Sequence, residues 1–543
     1  MTSISRRTVL RAGTLSVAGT AVASAATAPS RPAAAAAGIF AHGVASGDPL
    51  ADGILLWTRV TPRRDATPGS GKGPAVPVVW EMSTTKDFRR IAARGTSKTG
   101  AERDHTVKVD VRGLQPATTY WYRFRVGAER SPIGRTRTAP ADGASVDLLR
   151  VGVVSCANLQ AGWFSSYRHL AARGDLDLVL HLGDYLYEYA PGEYQARDVV
   201  VRPHDPPVEM TTLEHYRRRH AQYKQDTDLQ ALHAVAPFVV TWDDHESAND
   251  AWSGGAENHT EGVEGAWVDR KAAALQAYAE WMPVRYEVGG QLYRRLTFGS
   301  LASLSMLDLR SYRDQQASGT TDPAIGSADR SITGDAQMEW LLEGLSAQQA
   351  QWKLVGNPVM ITPVRFPPAL PAAATAGMEQ LVGSTTVDGV PYNIDQWDGY
   401  TADQSRVLRH LGDNAIADTV FLTGDIHSGW ACDLPADRAT YPLTGASVGT
   451  ELVCTSVTSD NLDDILRVPP RTASLSVEAS FRTNNPHVKY LDFDSHGYSV
   501  MEVRPEGVRM DWYVLSERTD RAATARLSES WQVVAGTQKV TRA

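Results

Sequence analysis

The sequence predicts a layered α/β domain preceded by a small all-β sandwich, and three observations carry that prediction. First, residues 39–140 alternate apolar and polar side chains. Val107, Val109 and Val111 interleave with Lys108, Asp110 and Arg112; Tyr120, Tyr122, Phe124 and Val126 interleave with Trp121, Arg123 and Arg125. Period two is the signature of half-buried antiparallel strands. Second, beyond a linker at 138–143 short apolar runs alternate with helix-period stretches, as in mixed α/β layers. Third, several of those runs end in Cys, Asp, Tyr, His or Asn, and ligands of open α/β sheets bind outside the carboxyl ends of the strands.

The chain divides into residues 1–38, 39–140 and 146–543. Residues 1–38 read as a twin-arginine export signal. Arg6-Arg7 precede an uncharged run over 12–30, and Ala-x-Ala sites follow at 23–25 and within 33–37. The run is too weakly apolar to span a membrane, and no other run is long enough. This route exports folded proteins, often with a cofactor in place, so the signal hints at a cofactor loaded inside the cell. The expected location is secreted or wall-associated, with the twin-arginine export machinery as a partner and the mature protein a monomer.

Composition narrows the class. With 543 residues the chain is too long for one ordinary domain, and 42% apolar with 21% charged residues is a globular composition. The formal charge is −8 without basic blocks, which excludes a nucleic-acid coat role. Three cysteines rule out a disulfide scaffold. Cys432 and Cys454 are a candidate disulfide pair, leaving Cys156 free.

In the sandwich, the turn from Gly113 to Tyr120 resembles the tyrosine corner of fibronectin type III and related sandwiches. Its role is structural or, alternatively, carbohydrate- or wall-binding. In the larger domain, strands are expected at 148–155, 176–182, 238–242, 352–361 and 419–422. Helices are expected at 163–173, 211–233, 264–282, 335–350 and 401–412, the fourth capped by Asp335. Runs at 292–298 and 303–307 read as antiparallel, and 498–503 with 508–515 as a hairpin.

The strand ends carry the chemistry. They read Cys156-Ala157-Asn158, Gly183-Asp184-Tyr185-Leu186-Tyr187, Asp243-Asp244-His245-Glu246, Gly356-Asn357 and Gly424-Asp425-Ile426-His427. Singly, each has an ordinary explanation: a buried thiol, a turn aspartate, a surface histidine. Together they are a metal centre, because thiolate, imidazole and carboxylate are its ligand types. Phenolate is a ligand of ferric iron, whereas the oxygen donors at Asp244 and Asp425 suit hard divalent cations. The residues therefore point to a ferric ion beside one or more hard divalent ions.

Longer strings resemble one family, the PhoD-type secreted alkaline phosphatases and phosphodiesterases. They include His42-Gly43-Val44-Ala45-Ser46-Gly47-Asp48-Pro49, His181-Leu182-Gly183-Asp184-Tyr185-Leu186-Tyr187-Glu188, Leu307-Asp308-Leu309-Arg310-Ser311-Tyr312-Arg313, Asp395-Gln396-Trp397-Asp398-Gly399-Tyr400 and Asn485-Pro486-His487-Val488-Lys489. The resemblance implies a four-layer calcineurin-like metallophosphatase core behind the sandwich and a centre of ferric iron (Fe3+) and calcium (Ca2+). Carried over, Cys156, Asp184, Tyr187 and His427 resemble the iron ligands. Asp184 would bridge to calcium, with Asp244 and Asp425 on the calcium side and Asn158, Asn249 and Asn357 as further oxygen donors. Where the general metallophosphatase pattern has Asp-x-His, Gly-Asn-His and Gly-His-x-His, this chain has Cys156-Ala157-Asn158, Asp243-Asp244-His245 and Gly424-Asp425-Ile426-His427, departures shared with PhoD.

Two cations roughly 3.5–4 Å apart clamp phosphoryl oxygens and support in-line attack by a metal-held hydroxide. His245 is the expected catalytic group, binding a phosphoryl oxygen or protonating the leaving alkoxide. Arg310 and Arg313 are candidate substrate-binding residues, with a structural ion pair as the alternative. The substrate is a phosphate ester: a cell-wall polymer, a nucleotide or a phospholipid. Competing readings are a PhoD-like phospholipase D and, in another class, a wall- or sugar-binding protein with an inactive core.

Overall fold

Alternation in the amino-terminal region resolves into strands with one dry face. Tyr120, Tyr122 and Phe124 of strand Thr119–Val126 are buried while Trp121, Arg123 and Arg125 are only partly so. The computed structural model describes residues 38–194 and 199–543, so the segment read as an export signal, Gly38 apart, lies outside the described residues. The Tyr120 hydroxyl accepts the Gln115 N–H at 2.9 Å, which closes the expected tyrosine corner.

The sandwich shares a sheet with its neighbour. One layer is a five-stranded sheet built on Val76–Ser83, Ile91–Thr99 and Thr119–Val126. The facing layer is Val44–Gly47, Gly53–Arg59 and Thr106–Arg112, with Ile54, Leu56, Val78, Met82, Tyr122 and Phe124 packed between. Those three strands continue a ten-stranded sheet, because Val44–Gly47 pairs parallel to Phe238–Thr241 at Gly47. A Cβ at Gly47 would stand 1.8 Å from the Pro283 carbonyl oxygen, so only glycine fits this junction.

The centre of the ten-stranded sheet is parallel: Leu149–Val154, Leu178–Leu182 and Phe238–Thr241 lie side by side. A seven-stranded sheet contains a second parallel set, Ala302–Met306, Trp352–Asn357, Thr419–Thr423 and Ser447–Val453. Its first pair, Arg294–Phe298 and Ala302–Met306, is antiparallel as expected, and so are Gly497–Arg504 and Gly507–Leu515 in the larger sheet. Both faces of the central strands are covered, which explains their unbroken apolar runs. In Leu178–Leu182 the side chains of Leu178, Leu180 and Leu182 face the other sheet, with Met306, Leu354 and Leu422, whereas Val179 faces helices.

Helices close the outer faces. Ser165–Arg173, Leu213–Lys224, Thr227–His233 and Trp267–Trp281 cover the ten-stranded sheet through residues such as Leu170, Tyr216, Leu229 and Ala274. Asp335–Ala347 and Thr401–Asp413 cover the seven-stranded sheet with Met338, Leu341, Val407 and Leu411. The result is a four-layer α/β core. The expected single helix over 211–233 is two, broken where Asp226 caps the second by accepting from Asp228 and Leu229 N–H. Asp335 does not cap its helix: the N-cap is Gly334 at φ +69°, and Asp335 is the first helical residue.

The Cys432–Cys454 pairing is overturned, since all three cysteines are free. Cys432 opposes Glu451 across the strand pair, so Cys454, three residues further on, points to the opposite face of the sheet. Cys432 packs with Trp430 and Phe481 in one core, Cys454 with Leu452 and Trp512 in another. Among the described residues no helix is long and apolar enough to cross a membrane.

Candidate metal centre

The carboxyl ends of the parallel strands deliver the expected ligands to one place. Cys156 follows Leu149–Val154, Asp184 follows Leu178–Leu182, Asp243 and Asp244 follow Phe238–Thr241, and Asp425 and His427 follow Thr419–Thr423. Ligand atoms of Cys156, Asp184 and His427 lie within 4.8 Å of one another, and so do those of Asp184, Asp243 and Asp425. A third such group is Asp184, Asp244 and His245, and a fourth is Asp244, Asp250 and Asp395.

The backbone is turned sharply to achieve this. Cys156, Asp184, Asp425 and His427 have φ of +59°, +55°, +61° and +50°. L-residues avoid the left-handed region, and such departures cluster at functional sites. Gly183, at φ +105°, has no room for a Cβ, which would stand 2.5 Å from the Asp243 Cβ. Glu246 fastens two strand ends together, accepting Tyr185 N–H at 2.7 Å, Asp184 N–H at 3.2 Å and Asp243 N–H at 2.9 Å.

Tyr187 completes the first group. Its hydroxyl donates to Asp184 Oδ2 at 2.8 Å, lies 3.3 Å from His427 Nε2 and accepts from Ser459 Oγ at 2.7 Å. His427 Nδ1 donates to the Asp460 carbonyl at 2.8 Å, which leaves Nε2 with a lone pair facing inward. On the other side, Asp425 Oδ2 accepts from Gln396 at 2.7 Å and Asp244 Oδ2 from Asp250 N–H at 2.6 Å.

The site fits a cation. Asp184 Oδ1 and Asp244 Oδ1 are buried with no hydrogen-bond partner, an expensive arrangement unless an ion occupies it. Burial, reinforced by neighbouring carboxylates and opposed by His245, pushes the Asp184 carboxyl well above its usual range. Burial likewise pushes Asp243 up to about 7 and Asp425 up to about 6 despite Arg310, and burial with the nearby Asp184 raises the Cys156 thiol and Tyr187 phenol. So many buried acids resist ionising together; positive ions among them remove that resistance.

His245 and the arginines occupy different surroundings. His245 Nδ1 is 2.8 Å from Glu188 Oε2, and its ring lies against Tyr187 at 4.1 Å between centroids. Burial lowers the His245 pKa, but Asp244, Asp184 and Glu188 outweigh it and hold the imidazole well above its ordinary value. Arg310 and Arg313 are buried and their guanidiniums are taken up by carboxylates. Arg310 forks onto Asp243 (2.6 and 3.1 Å) and onto Asp395 (3.0 and 2.8 Å), and Arg313 donates to Asp395 at 2.7 Å. Burial raises the Asp395 carboxyl, but these two arginines hold it far below the usual range.

The three asparagines each have hydrogen-bond partners within the protein. Asn357 Oδ1 accepts from the Trp397 indole at 3.0 Å, Asn158 Oδ1 accepts Gln160 N–H at 3.2 Å, and Asn249 donates its amide to Glu257 at 3.3 Å. Sequence reasoning missed Glu188, Glu246, Asp395 and Ser459 as supporting groups. Glu188 and Asp395 stand inside strings that carry the resemblance, and Glu246 ends the strand-end string that begins at Asp243; Ser459 has no sequence signal.

Residues 151–512 match the family described as PhoD-like phosphatase, and residues 24–140 match its N-terminal domain. The chain belongs to the PhoD-like phosphatase family. Membership makes it an enzyme of the phosphatase/phosphodiesterase class. It is 37% identical over 503 residues to alkaline phosphatase D of Bacillus subtilis (strain 168), a match covering 89% of this chain and 79% of that protein. A solved structure of PhoD aligns with a TM-score of 0.82 at 35% identity, covering 93% of this chain and 92% of that one.

Proposed function

We propose that the protein is an exported, metal-dependent phosphoric ester hydrolase working on phosphodiesters and phosphomonoesters with a mixed ferric iron–calcium centre. One observation carries the reading. Asp184 is common to a group with thiolate and imidazole (Cys156, His427) and to two further groups that bring carboxylates, one with Asp244 (beside His245) and one with Asp425 (beside Asp243). One carboxylate thus stands between a softer ligand set and a hard one, which suits two unlike cations.

Cys156, Asp184, Tyr187 and His427 would hold iron; Asp184, Asp244 and Asp425 would hold calcium. When bound, the ions supply Lewis acidity toward the phosphoryl oxygens and an activated hydroxide nucleophile. The chain's own residues do the rest. His245, with Nδ1 on Glu188, presents Nε2 to bind a phosphoryl oxygen or to give the leaving alkoxide its proton. Arg310 and Arg313 act through Asp243 and Asp395, fixing carboxylates around the substrate rather than gripping phosphate, which their bonds support.

The test is metal analysis of the purified protein beside turnover of a bis-aryl and a mono-aryl phosphate. Iron and calcium present, with hydrolysis of at least one ester, is the expected result. Calcium chelation should abolish activity while iron stays bound, and added calcium should restore it. An active, colourless, iron-free protein would remove the iron assignment, and full activity after exhaustive calcium removal would remove calcium. The ratio of the two rates reads the diester against the monoester preference.

A further inference from the structure

We propose that Glu188 is a positioning residue: its carboxylate sets the ring of His245 and aims Nε2 at the phosphoryl site. The proposal rests on the reading of His245 as the group that meets substrate.

Glu188 is wholly buried, at 0% exposure. A carboxylate without solvent survives only where its oxygens have partners. Oε2 faces His245 Nδ1 at 2.8 Å; Oε1 accepts Asn249 N–H and the Asn258 side-chain amide, both at 2.8 Å. Three donors from two loop segments therefore hold the carboxylate, and the imidazole takes one of its oxygens to itself. Asn258 is also at 0% exposure, so its support is rigid.

The consequence for His245 is directional. Nδ1–H must donate to Glu188, so Nε2 is the nitrogen left for chemistry, and a ring nitrogen of His245 lies within 4.8 Å of Asp184 and Asp244 carboxylate oxygens. Tyr187 and Tyr194 flank the ring at 4.1 and 5.0 Å between centroids and restrict its swing. Chain order adds a mechanical link. Glu188 directly follows Tyr187, so the turn that brings the phenol to Asp184 also sets the carboxylate behind His245. A histidine oriented by a buried acid is the arrangement by which other hydrolases keep one ring nitrogen on the reacting atom.

The experiment compares Glu188→Gln, His245→Asn and the double variant in the full-length, metal-loaded enzyme, measuring kcat, KM, bound metals and thermal midpoint on a bis-aryl phosphate. Glutamine keeps the shape and removes the charge. The expected result for Glu188→Gln is a kcat about 10–100-fold lower, with KM and metal content unchanged. The double variant should be no slower than His245→Asn alone, because a residue acting only through His245 has nothing left to act on. Asn258→Ala, which removes one donor to the same carboxylate and leaves Glu188 itself in place, should give a smaller kcat loss that also vanishes in the His245→Asn background. Losses that multiply in the double variant, or a metal loss in Glu188→Gln, overturn the proposal and leave the reading of His245 standing. Full turnover by His245→Asn overturns the reading and the proposal together.

Discussion

The carboxylate of Asp184 enters three of the four ligand groups, and its Oδ1 has no partner of its own. Asp184→Asn keeps the shape but removes the negative charge between the two cation positions proposed above. The expected outcome is loss of at least one metal, read by elemental analysis. His245→Asn, at a residue that lines one cleft with Asp244 and Asp425, should keep both metals and turn over about 10²–10⁴-fold more slowly. Retention of both metals by the first variant, or their loss in the second, would reverse these roles. Tyr187→Phe deletes the phenol that Asp184 and Ser459 hold, so a visible charge-transfer band should shift or vanish. Arg310 is a different case. Its ion pairs are buried on both sides, and deleting one partner of such a set costs about 3–5 kcal/mol. Arg310→Leu should therefore lower the thermal midpoint and disturb the metal content. A stable Arg310→Leu enzyme with only KM raised would restore the substrate-binding role.

At the scale of elements, the site is made where parallel strands stop. Two of those stops need glycine for lack of space: a Cβ at Gly183 would meet Asp243, and one at Gly424 would come within 2.8 Å of the Ser155 Cβ. Gly183→Ala forces the Asp184 and Asp243 strand ends apart. Overpacking of this kind costs typically about 1–3 kcal/mol, and the loss should show in metal affinity before it shows in secondary structure. A variant that binds metal normally would mean the turns have more slack than the distances allow. The two carboxyl-terminal cysteines belong to this scale as well. Pleating sends Cys432 and Cys454 to opposite faces of the seven-stranded sheet. Alkylation of the unfolded, unreduced protein should therefore block three thiols, as mass spectrometry will count.

Across the whole molecule, the amino-terminal sandwich and the core are interlocked. Strand Val44–Gly47 lies inside the ten-stranded sheet, between Phe238–Thr241 and Gly53–Arg59. Trp57 donates its indole N–H to the Glu280 carbonyl at 2.8 Å, and Lys108 Nζ donates to the Ala279, Val284 and Tyr286 carbonyls at 2.8, 3.1 and 2.8 Å. Expressing residues 146–543 alone would bare the edge of Phe238–Thr241, and an exposed edge is a template for aggregation. The truncated chain is expected to be insoluble or to unfold without cooperativity, whereas the intact chain unfolds with both regions together in calorimetry. A soluble truncated enzyme with an unchanged midpoint would show that the shared sheet contributes little.

What the sequence determined by itself was local and periodic. The alternation around Tyr120 to Phe124 stated which face is dry, the apolar runs stated which strands lie deep, and the strings after them placed Cys156, Asp184, Tyr187, Asp244, Asp425 and His427 at strand ends. Each of these depends on neighbours a few residues away, so it can be read along the chain. Strand Ala525–Val534 went unread because most of its residues are only half-buried, which leaves no period-two contrast. The tertiary structure alone decided the rest: the shared sheet at Gly47 and Phe238, the opposite facing of Cys432 and Cys454, the commitment of Arg310 and Arg313 to Asp243 and Asp395, and the pairing of His245 with Glu188. In every one of these the partners are separated by tens to hundreds of residues, and the outcome turns on where a side chain points after the strands have paired. No spacing along the chain encodes that direction, because strand pairing and the left-handed turns at Cys156, Asp184, Asp425 and His427 set it together.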